Sequence, residues 1–313
     1  TGNNLLIALI VAVAMMELIN LIGKTIGYSG TRFGEVAVGQ MLETVGATLD
    51  DVELIDVGFD LMSAMTTGSV DATYGCFINH EIPALEEAFA KYHDRLNCFI
   101  VEPLLQGAGG MRMYDISFLK RARELCDEYD VLLIFDEVAT GFGRTGHRFV
   151  ADLVLPDILV LGKALTGGYI GHAVTVANEK VFRAFYSDND RHALMHGPTF
   201  MGNALACAAA LKGIEIFERE DYMSKIARIE AISQREMLGF TDPRIREVRV
   251  MGGCTCVEVY DEATLEGFQQ FAYERGVFSR PFLKYMYSMV PYVIQEEELV
   301  HIFDVMKEWF RRG

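Results

Sequence analysis

Two side chains capable of covalent or acid–base chemistry stand at the ends of short apolar segments. The segment VLLIFD (131–136) ends on Asp136, and PDILVLGK (156–163) ends on Lys163. Each is rich in branched aliphatic residues and bounded by Asp, Pro or Gly, a pattern typical of buried parallel strands. In open α/β sheets, ligands bind outside the carboxyl ends of the strands. The sequence therefore predicts that an acid and an amine face one bound molecule.

An amine and a carboxylate placed in this way suit pyridoxal phosphate (PLP) chemistry. A lysine forms a Schiff base with the cofactor, and a carboxylate keeps the pyridinium nitrogen protonated so that the ring can accept carbanion electrons. A lysine that follows an apolar strand is also a common surface residue. The spacing alone leaves both interpretations open.

Longer motifs around the two residues resemble the class III aminotransferases of fold type I. They are VEPLLQGAGG (101–110), FDEVATGFGRTG (135–146) and PDILVLGKALTGG (156–168), in the order of that family. Four further pieces narrow the resemblance to the adenosylmethionine-8-amino-7-oxononanoate aminotransferases of biotin biosynthesis: GMRMY (110–114), HGPTFMGN (196–203), RPF (280–282) and PY (291–292). The resemblance begins near Glu86. It implies a PLP enzyme that moves the amino group of S-adenosylmethionine to 8-amino-7-oxononanoate, giving 7,8-diaminononanoate.

The resemblance also implies roles for residues at the cofactor. Lys163 matches the Schiff-base lysine and Asp136 the partner of the pyridinium nitrogen. Val138 matches the side chain that packs on the cofactor ring. Thr199 matches a residue that reaches the cofactor phosphate of the neighbouring subunit, and Pro198 beside it is assigned to the same cofactor contact. A homodimer with shared active sites follows from that assignment.

Substrate contacts are implied in the same way. Arg280 matches the arginine that pairs with the substrate carboxylate, a task suited to its planar fork. Tyr292 and Gly197 match the substrate region. Taken singly, the residues at 197–199 could be turn residues and Arg280 a solvated arginine. Glu102 and Glu137 are predicted to be structural, and the released lysine is predicted to move the proton at the substrate carbon.

The sequence before Glu86 departs from the pattern of these enzymes. We find neither their Gly-Ser phosphate cradle nor their stacking aromatic residue there, so we expect weak cofactor binding and low turnover. Residues 24–85 instead predict a strand, helix, strand, helix, strand alternation, with helices at 35–45 and 60–70. The motifs GYSG (27–30), DVGFD (56–60) and GSVDA (68–72) resemble binding proteins of ABC importers for thiamine-pyrimidine precursors.

Charge also sets the first part of the chain apart. Residues 1–85 hold ten acidic and two basic side chains, so their net charge is −8, half of the −16 of the whole chain. We therefore interpret the chain as a composite. The alternative function is a pyrimidine-precursor binding module, or a catalytically inactive fusion.

The predicted fold class is α/β, with the large-domain core of a fold type I PLP-dependent transferase, a smaller C-terminal α+β domain and an atypical N-terminal part. The predicted domains are 1–85, 86–235 and 236–313. Helices are predicted at 116–127, 204–218, 263–275 and 296–311 from their apolar periodicity.

Composition narrows the remaining possibilities. With 51% hydrophobic and 23% charged residues, the 313-residue chain is typical of a soluble α/β protein, and its acidity argues against nucleic-acid binding. The apolar run at 5–16 ends at Glu17, short of the roughly 20 residues of a membrane span, so no stable membrane insertion is expected.

The cysteine and histidine patterns predict a reduced, metal-free protein. The six cysteines lack a Cys-x-x-Cys pair, which fits reduced thiols in the cytoplasm. Cys254 and Cys256 are predicted to share one face of a strand, where packing is favoured over a metal site. His192 and His196 lack the glutamate of a zinc-protease helix, so no metal is expected.

Overall fold

The computed structural model describes residues 81–312 continuously and, before them, residues 25–28, 48, 50, 53–56 and 72–73. The apolar run at 5–16 and the predicted helices at 35–45 and 60–70 lie outside the described residues. Three short strands form a parallel sheet of order β2-β1-β3: β1 (Thr25–Tyr28), β2 (Glu53–Asp56) and β3 (Ala72–Thr73). The strands of the predicted alternation are therefore confirmed.

A second sheet contains the two apolar segments that lead to Asp136 and Lys163. Its strands are β4 (Cys98–Val101), β7 (Leu132–Asp136), β8 (Ile158–Leu161) and β9 (Val174–Ala177). They are arranged in the order β4-β7-β8-β9, and β4, β7 and β8 are parallel whereas β9 is antiparallel to β8. A small hairpin of β5 (Leu105–Gln106) and β6 (Arg112–Met113) follows β4. The prediction of two buried parallel strands is confirmed.

Two helices cover one face of this sheet. They are α1 (Glu81–Tyr92) and α2 (Ile116–Glu128), and the predicted helix at 116–127 is confirmed. The helix α2 begins where Asp115 accepts a hydrogen bond from the Ser117 backbone N–H at 2.8 Å, which satisfies one free donor of the first turn. Phe89, Phe118 and other apolar side chains pack in one cluster against β4 and β7. This packing holds the strands whose ends carry the site.

Asp157 fixes β8 against β7. Its Oδ2 accepts hydrogen bonds from the Leu133 backbone N–H and the Arg123 guanidinium, both at 2.8 Å, and Asn178 donates to Oδ1 at 2.7 Å. Burial opposes ionisation of Asp157, but these donors and the Arg123 charge hold its pKa below the usual value. The carboxylate therefore sets the position of β8 at the end of the strand away from Lys163.

The C-terminal part is an antiparallel sheet with helices packed against one of its faces. After α3 (Glu179–Phe185) and α4 (Ala204–Arg219) come α5 (Tyr222–Met237), β10 (Ile245–Met251), β11 (Cys254–Val259), α6 (Phe268–Tyr273), β12 (Tyr285–Ser288) and α7 (Glu296–Arg311). The sheet order is β10-β11-β12. One apolar cluster joins α5, α6 and α7 to this sheet. The limits predicted for the domains stay a prediction.

Two of the predicted helices in this part are confirmed and one is wrong as a continuous helix. The segments 204–218 and 296–311 are helical, whereas 263–275 is divided at Gly267. Gly267 has φ +84°, a left-handed conformation that ends the short turn Glu262–Leu265 before α6 begins. Among the described helices, none has the length and apolar character needed to cross a membrane.

Candidate active site

Three neighbouring parallel strands bring three ionisable side chains to one edge of the sheet. Glu102 follows β4, Asp136 is the last residue of β7, and Lys163 follows β8 after a single glycine. The carboxyl ends of parallel strands meet at the same edge, so these residues lie together there. We call Glu102, Asp136 and Lys163 the edge cluster.

The amine and the Asp136 carboxyl are close enough to influence each other. Val138 N–H donates to Asp136 Oδ1 at 3.0 Å. Burial raises the pKa of Asp136 above its usual value, while this hydrogen bond and the positive charge of Lys163 oppose the rise. The carboxyl is thus largely removed from water and faces a cation, which matches the predicted acid and amine pair.

Glu102 is the third member of the cluster. Burial, and then the charge of Asp136, raise the pKa of Glu102 to about 7, while the Gly107 N–H and the Lys163 charge act in the opposite direction. Gly107 N–H donates to Glu102 Oε2 at 3.0 Å. From the sequence alone, Glu102 is predicted to have a structural role. The signal that could have placed it in the site is its position immediately after an apolar strand.

The backbone at Lys163 is held in an unusual conformation. Lys163 has φ +42°, and it opens the short turn Lys163–Thr166, which ends at Gly167. A non-glycine residue in this region costs about 1–2 kcal/mol, and such residues cluster at functional sites. Before it, a Cβ at Gly162 would lie 3.2 Å from Val138 Cγ1, so the lack of a side chain lets β8 approach Val138. Lys163 itself is exposed.

The predicted residues of the 197–199 loop lie in an exposed segment. Gly197, Pro198 and Thr199 are all exposed, and Pro198 O accepts a backbone hydrogen bond three residues on at 2.9 Å. Nearby, Met195 and Phe200 are 92% and 83% exposed. No hydrogen bond between described residues joins this loop to the edge cluster. The turn geometry is present, and the contact with a neighbouring subunit stays a prediction.

Arg280 lies exposed in the segment between α6 and β12. In the described part of the chain, its guanidinium takes part in no hydrogen bond or ion pair. A cation that is exposed and without a protein partner is available to bind an anionic group. Its predicted pairing with a substrate carboxylate is therefore compatible with the structure.

Tyr292 lies where the loop after β7 meets the C-terminal sheet. The Arg144 guanidinium stacks 4.6 Å from the centre of the Tyr292 ring, and the Tyr222 ring meets it edge-on at 6.1 Å. Arg144 Nη1 donates to Gly253 O at 2.8 Å. Burial raises the pKa of Tyr292. These contacts hold Tyr292 between two parts of the protein, and none of them joins it to the edge cluster.

A surface groove of about 460 Å³ adjoins Tyr292 but does not include the edge cluster. It is lined by Ser224, Lys225, Arg228, Tyr292, Val293 and Gln295. Chemically, this groove offers no lysine and carboxyl pair on adjacent strand ends. The edge cluster is therefore the candidate active site.

A largely parallel sheet with an aspartate and a lysine on neighbouring strand ends is the architecture of the fold type I PLP-dependent transferases. Residues 20–310 match the family described as aminotransferase class-III, and the chain belongs to that family. The family expectation drawn from the motifs is confirmed.

Individual relatives and solved structures refine the comparison. The chain is 36% identical to adenosylmethionine-8-amino-7-oxononanoate aminotransferase of Saccharomyces cerevisiae, over 90% of this chain and 66% of that protein. The crystal structure of the enzyme with this name from Methanocaldococcus jannaschii has a TM-score of 0.73 and 26% identity, covering 99% of this chain and 72% of that one. A PLP-bound amine transaminase from an uncultivated Pseudomonas species gives a TM-score of 0.74 at 26% identity, covering 96% of this chain and 72% of that one.

The matches extend into the first part of this chain, but they cover only part of the length of the relatives. The chain spans about half to two thirds of the length of the curated relatives it matches. The family match begins at residue 20 and therefore runs through 24–85. The interpretation of 24–85 as a binding-protein fragment is not supported by these alignments.

Proposed function

We propose that this protein is a PLP-dependent aminotransferase of biotin biosynthesis, which transfers the amino group of S-adenosylmethionine to 8-amino-7-oxononanoate. The observation that carries the proposal is the edge cluster, with its lysine and aspartate on adjacent parallel strand ends. The two substrates are inferred from the names of its relatives in yeast and in Methanocaldococcus jannaschii.

The amine and the carboxyl of the edge cluster have the chemistry that PLP binding requires. Lys163 is exposed and can bond covalently, and the Asp136 carboxyl is desolvated beside it. Among the described residues, the hydrogen bond to that carboxyl comes from Val138 N–H to Oδ1, which leaves Oδ2 for a ligand. When bound, PLP supplies an electron sink that stabilises negative charge at the substrate carbon.

The residues of this chain would then divide the work. Asp136 would hold a proton at the pyridine nitrogen, and Val138 would pack on the ring face. Lys163 would bind the cofactor and, as a free amine, would move a proton at the reacting carbon of the substrate through Nζ. Arg280 would bind the substrate carboxylate through its guanidinium fork. Tyr292 and Gly197 remain predicted contacts to the substrate.

A PLP titration tests the proposal directly. The absorbance of purified protein is followed during titration, the adduct is fixed with borohydride, and the modified peptide is mapped. We expect saturable binding with the label on Lys163. The matched control is Lys212→Ala, which removes an exposed lysine of α4, whereas Lys163→Ala should abolish the adduct. Folded protein that forms no adduct at Lys163 would refute PLP binding.

An assay of 7,8-diaminononanoate formation tests the substrates separately. The PLP-loaded protein is incubated with 8-amino-7-oxononanoate and S-adenosylmethionine, and product is measured by mass spectrometry. We expect product from this pair and loss of product in Lys163→Ala. Adduct formation without product from this pair would refute the substrate assignment but not PLP binding.

We also propose a homodimer in which Thr199 and Pro198 approach the cofactor of the neighbouring subunit. Support comes from the large apolar side chains exposed on this loop, Met195 and Phe200, since such groups commonly mark interfaces. Sedimentation of wild type and Phe200→Ser tests this: we expect a dimer for the wild type and weaker association for the variant. A monomeric wild type would refute the dimer.

The free cysteines are consistent with a protein of a reducing compartment. Cys98, Cys126, Cys207, Cys254 and Cys256 are free thiols in the described part of the chain. Free, largely buried thiols are usual for proteins of the cytoplasm, where disulfides are rare. We therefore propose a cytoplasmic location, which fractionation of cells that express the chain would test.

A further inference from the structure

A continuous path of hydrogen bonds connects the C-terminal sheet to the edge cluster. Arg249, on β10, donates from Nη2 to Gly110 O at 2.9 Å and from Nε to Met111 O at 3.1 Å. Gly110 N–H and Met111 N–H both donate to Gly107 O at 3.1 Å. Gly107 N–H in turn donates to Glu102 Oε2 at 3.0 Å. The turn at 107–111 therefore lies between Arg249 and the Glu102 carboxyl.

The turn is also packed tightly against the same sheet. Gly110 has φ +106°, and a Cβ there would lie 2.5 Å from the ring carbon Cζ of Tyr285 on β12. Met111 has φ +48° and is buried with Tyr285, Cys254 and Leu105 in one apolar cluster. The turn thus has little freedom to move while Arg249 and Tyr285 hold their positions.

Arg249 is itself fixed by acids. It is 9% exposed, and its Nη1 contacts both Glu247 and Glu258 at 2.6 Å. Glu258 is almost fully buried and also pairs with Arg246 at 3.1 Å and with Lys284 at 2.9 Å. A guanidinium presents its donors in a rigid fork, so the bonds to Glu258 orient the donors that reach the turn. Arg249 is the member of this group that contacts the turn.

We propose that Arg249 is a positioning residue, which holds the Glu102 carboxyl in its desolvated place beside Asp136 and Lys163 through the turn at 107–111. The proposal takes from the proposed function that the edge cluster is the reaction site. Its consequence is that the C-terminal sheet sets the charge state of an acid next to the reactive lysine.

The surroundings of Glu102 indicate the direction of the effect. Glu102 faces the Asp136 carboxyl, the Lys163 amine and the Gly107 N–H. Burial is the largest influence and raises the pKa of Glu102 to about 7. If the turn loosens, water reaches the Glu102 carboxyl and burial raises its pKa less. Loss of the hydrogen bond from Gly107 would by itself raise the pKa, but this effect is smaller than the effect of burial. The pKa of Glu102 therefore falls.

Titration of Glu102 in the full chain tests the proposal without PLP. The protein is labelled with 13C at the glutamate side-chain carboxyl and followed by NMR against pH, and the Glu102 signal is assigned by its loss in Glu102→Gln. In Arg249→Met we expect the midpoint to fall by about one unit or more. The matched control is Arg246→Met, since Arg246 pairs with the same Glu258 but is 52% exposed and lies outside the path to the turn. In that control we expect the wild-type midpoint.

Each outcome decides the question. A lower midpoint in folded Arg249→Met alone supports the proposal, and equal midpoints in wild type and Arg249→Met, or equal shifts in both variants, overturn it. If Arg249→Met does not fold, Arg249→Lys replaces it, because a lysine keeps the charge but cannot hold both carbonyls; an unchanged midpoint there overturns the proposal. Since no cofactor is added, a failure to bind PLP would refute the proposed function and leave this result standing.

Discussion

Replacement of Gly252 by alanine should separate two loops that lie in backbone contact. Gly252 joins β10 to β11 with φ +52°, and a Cβ there would lie 2.2 Å from Gly146 N and 2.5 Å from Arg144 O. The obstructing atoms belong to backbone, so they cannot be avoided by rotation of a side chain. The loop that follows β7 would therefore have to move away from the C-terminal sheet.

The magnitude follows from what would be lost. A left-handed alanine costs about 1–2 kcal/mol relative to glycine. Separation would also break two bonds between the loops, Gly253 N–H to Arg144 O at 3.0 Å and Arg144 Nη1 to Gly253 O at 2.8 Å. Each contributes about 1 kcal/mol. We therefore expect Gly252→Ala to lower the free energy of unfolding by about 3–4 kcal/mol.

Urea unfolding, followed by tryptophan fluorescence and circular dichroism, measures this loss. The control is Gly239→Ala, because Gly239 lacks positive φ and a Cβ there meets nothing within 4 Å in the described structure. That control should change the free energy of unfolding by less than about 0.5 kcal/mol. Equal effects of the two substitutions would refute the close backbone contact as the cause.

Two further predictions concern buried carboxyl groups. Asp157→Asn should lower the free energy of unfolding by about 2–4 kcal/mol because Arg123 loses a buried partner. The control is Asp127→Asn, which removes an exposed partner of the same arginine and should lower the free energy of unfolding by less than about 1 kcal/mol. Chemical denaturation of both variants measures the two losses, and equal losses would contradict this reasoning. Burial raises the pKa of Glu137 from 4.5 to about 7, so its contribution to stability is fully present below pH 4.5 and is lost as the pH rises through 7. Glu137→Gln should therefore reduce the fall in urea midpoint between about pH 5 and pH 8, and an undiminished fall would contradict the assignment.

Local sequence signals predicted the elements that depend on local physics. The helix α2 was predicted from apolar periodicity, and the structure shows how Asp115 caps its start. The strands that lead to Asp136 and Lys163 were predicted from short aliphatic runs with polar ends. The predicted helix at 263–275 failed because Gly267 adopts a left-handed conformation, and composition alone does not reveal which glycines do so.

The site was harder to predict because it depends on which strands are neighbours. Asp136 and Lys163 could be paired from their motifs. Glu102 joins them because β4 lies directly beside β7, and the order of strands in a sheet is not encoded in any one segment. Tyr292 shows the same difficulty, since its stacking on Arg144 joins positions about 150 residues apart, a separation that no local pattern reports.

The left-handed backbone at Lys163 has a consequence for how this position can evolve. Glycine would adopt φ +42° without the steric cost that a lysine bears there, and asparagine would bear less of it. Selection for fold stability alone would therefore favour glycine or asparagine at position 163. The lysine at position 163 therefore costs the fold some stability, and a function of its amine is what would keep it there.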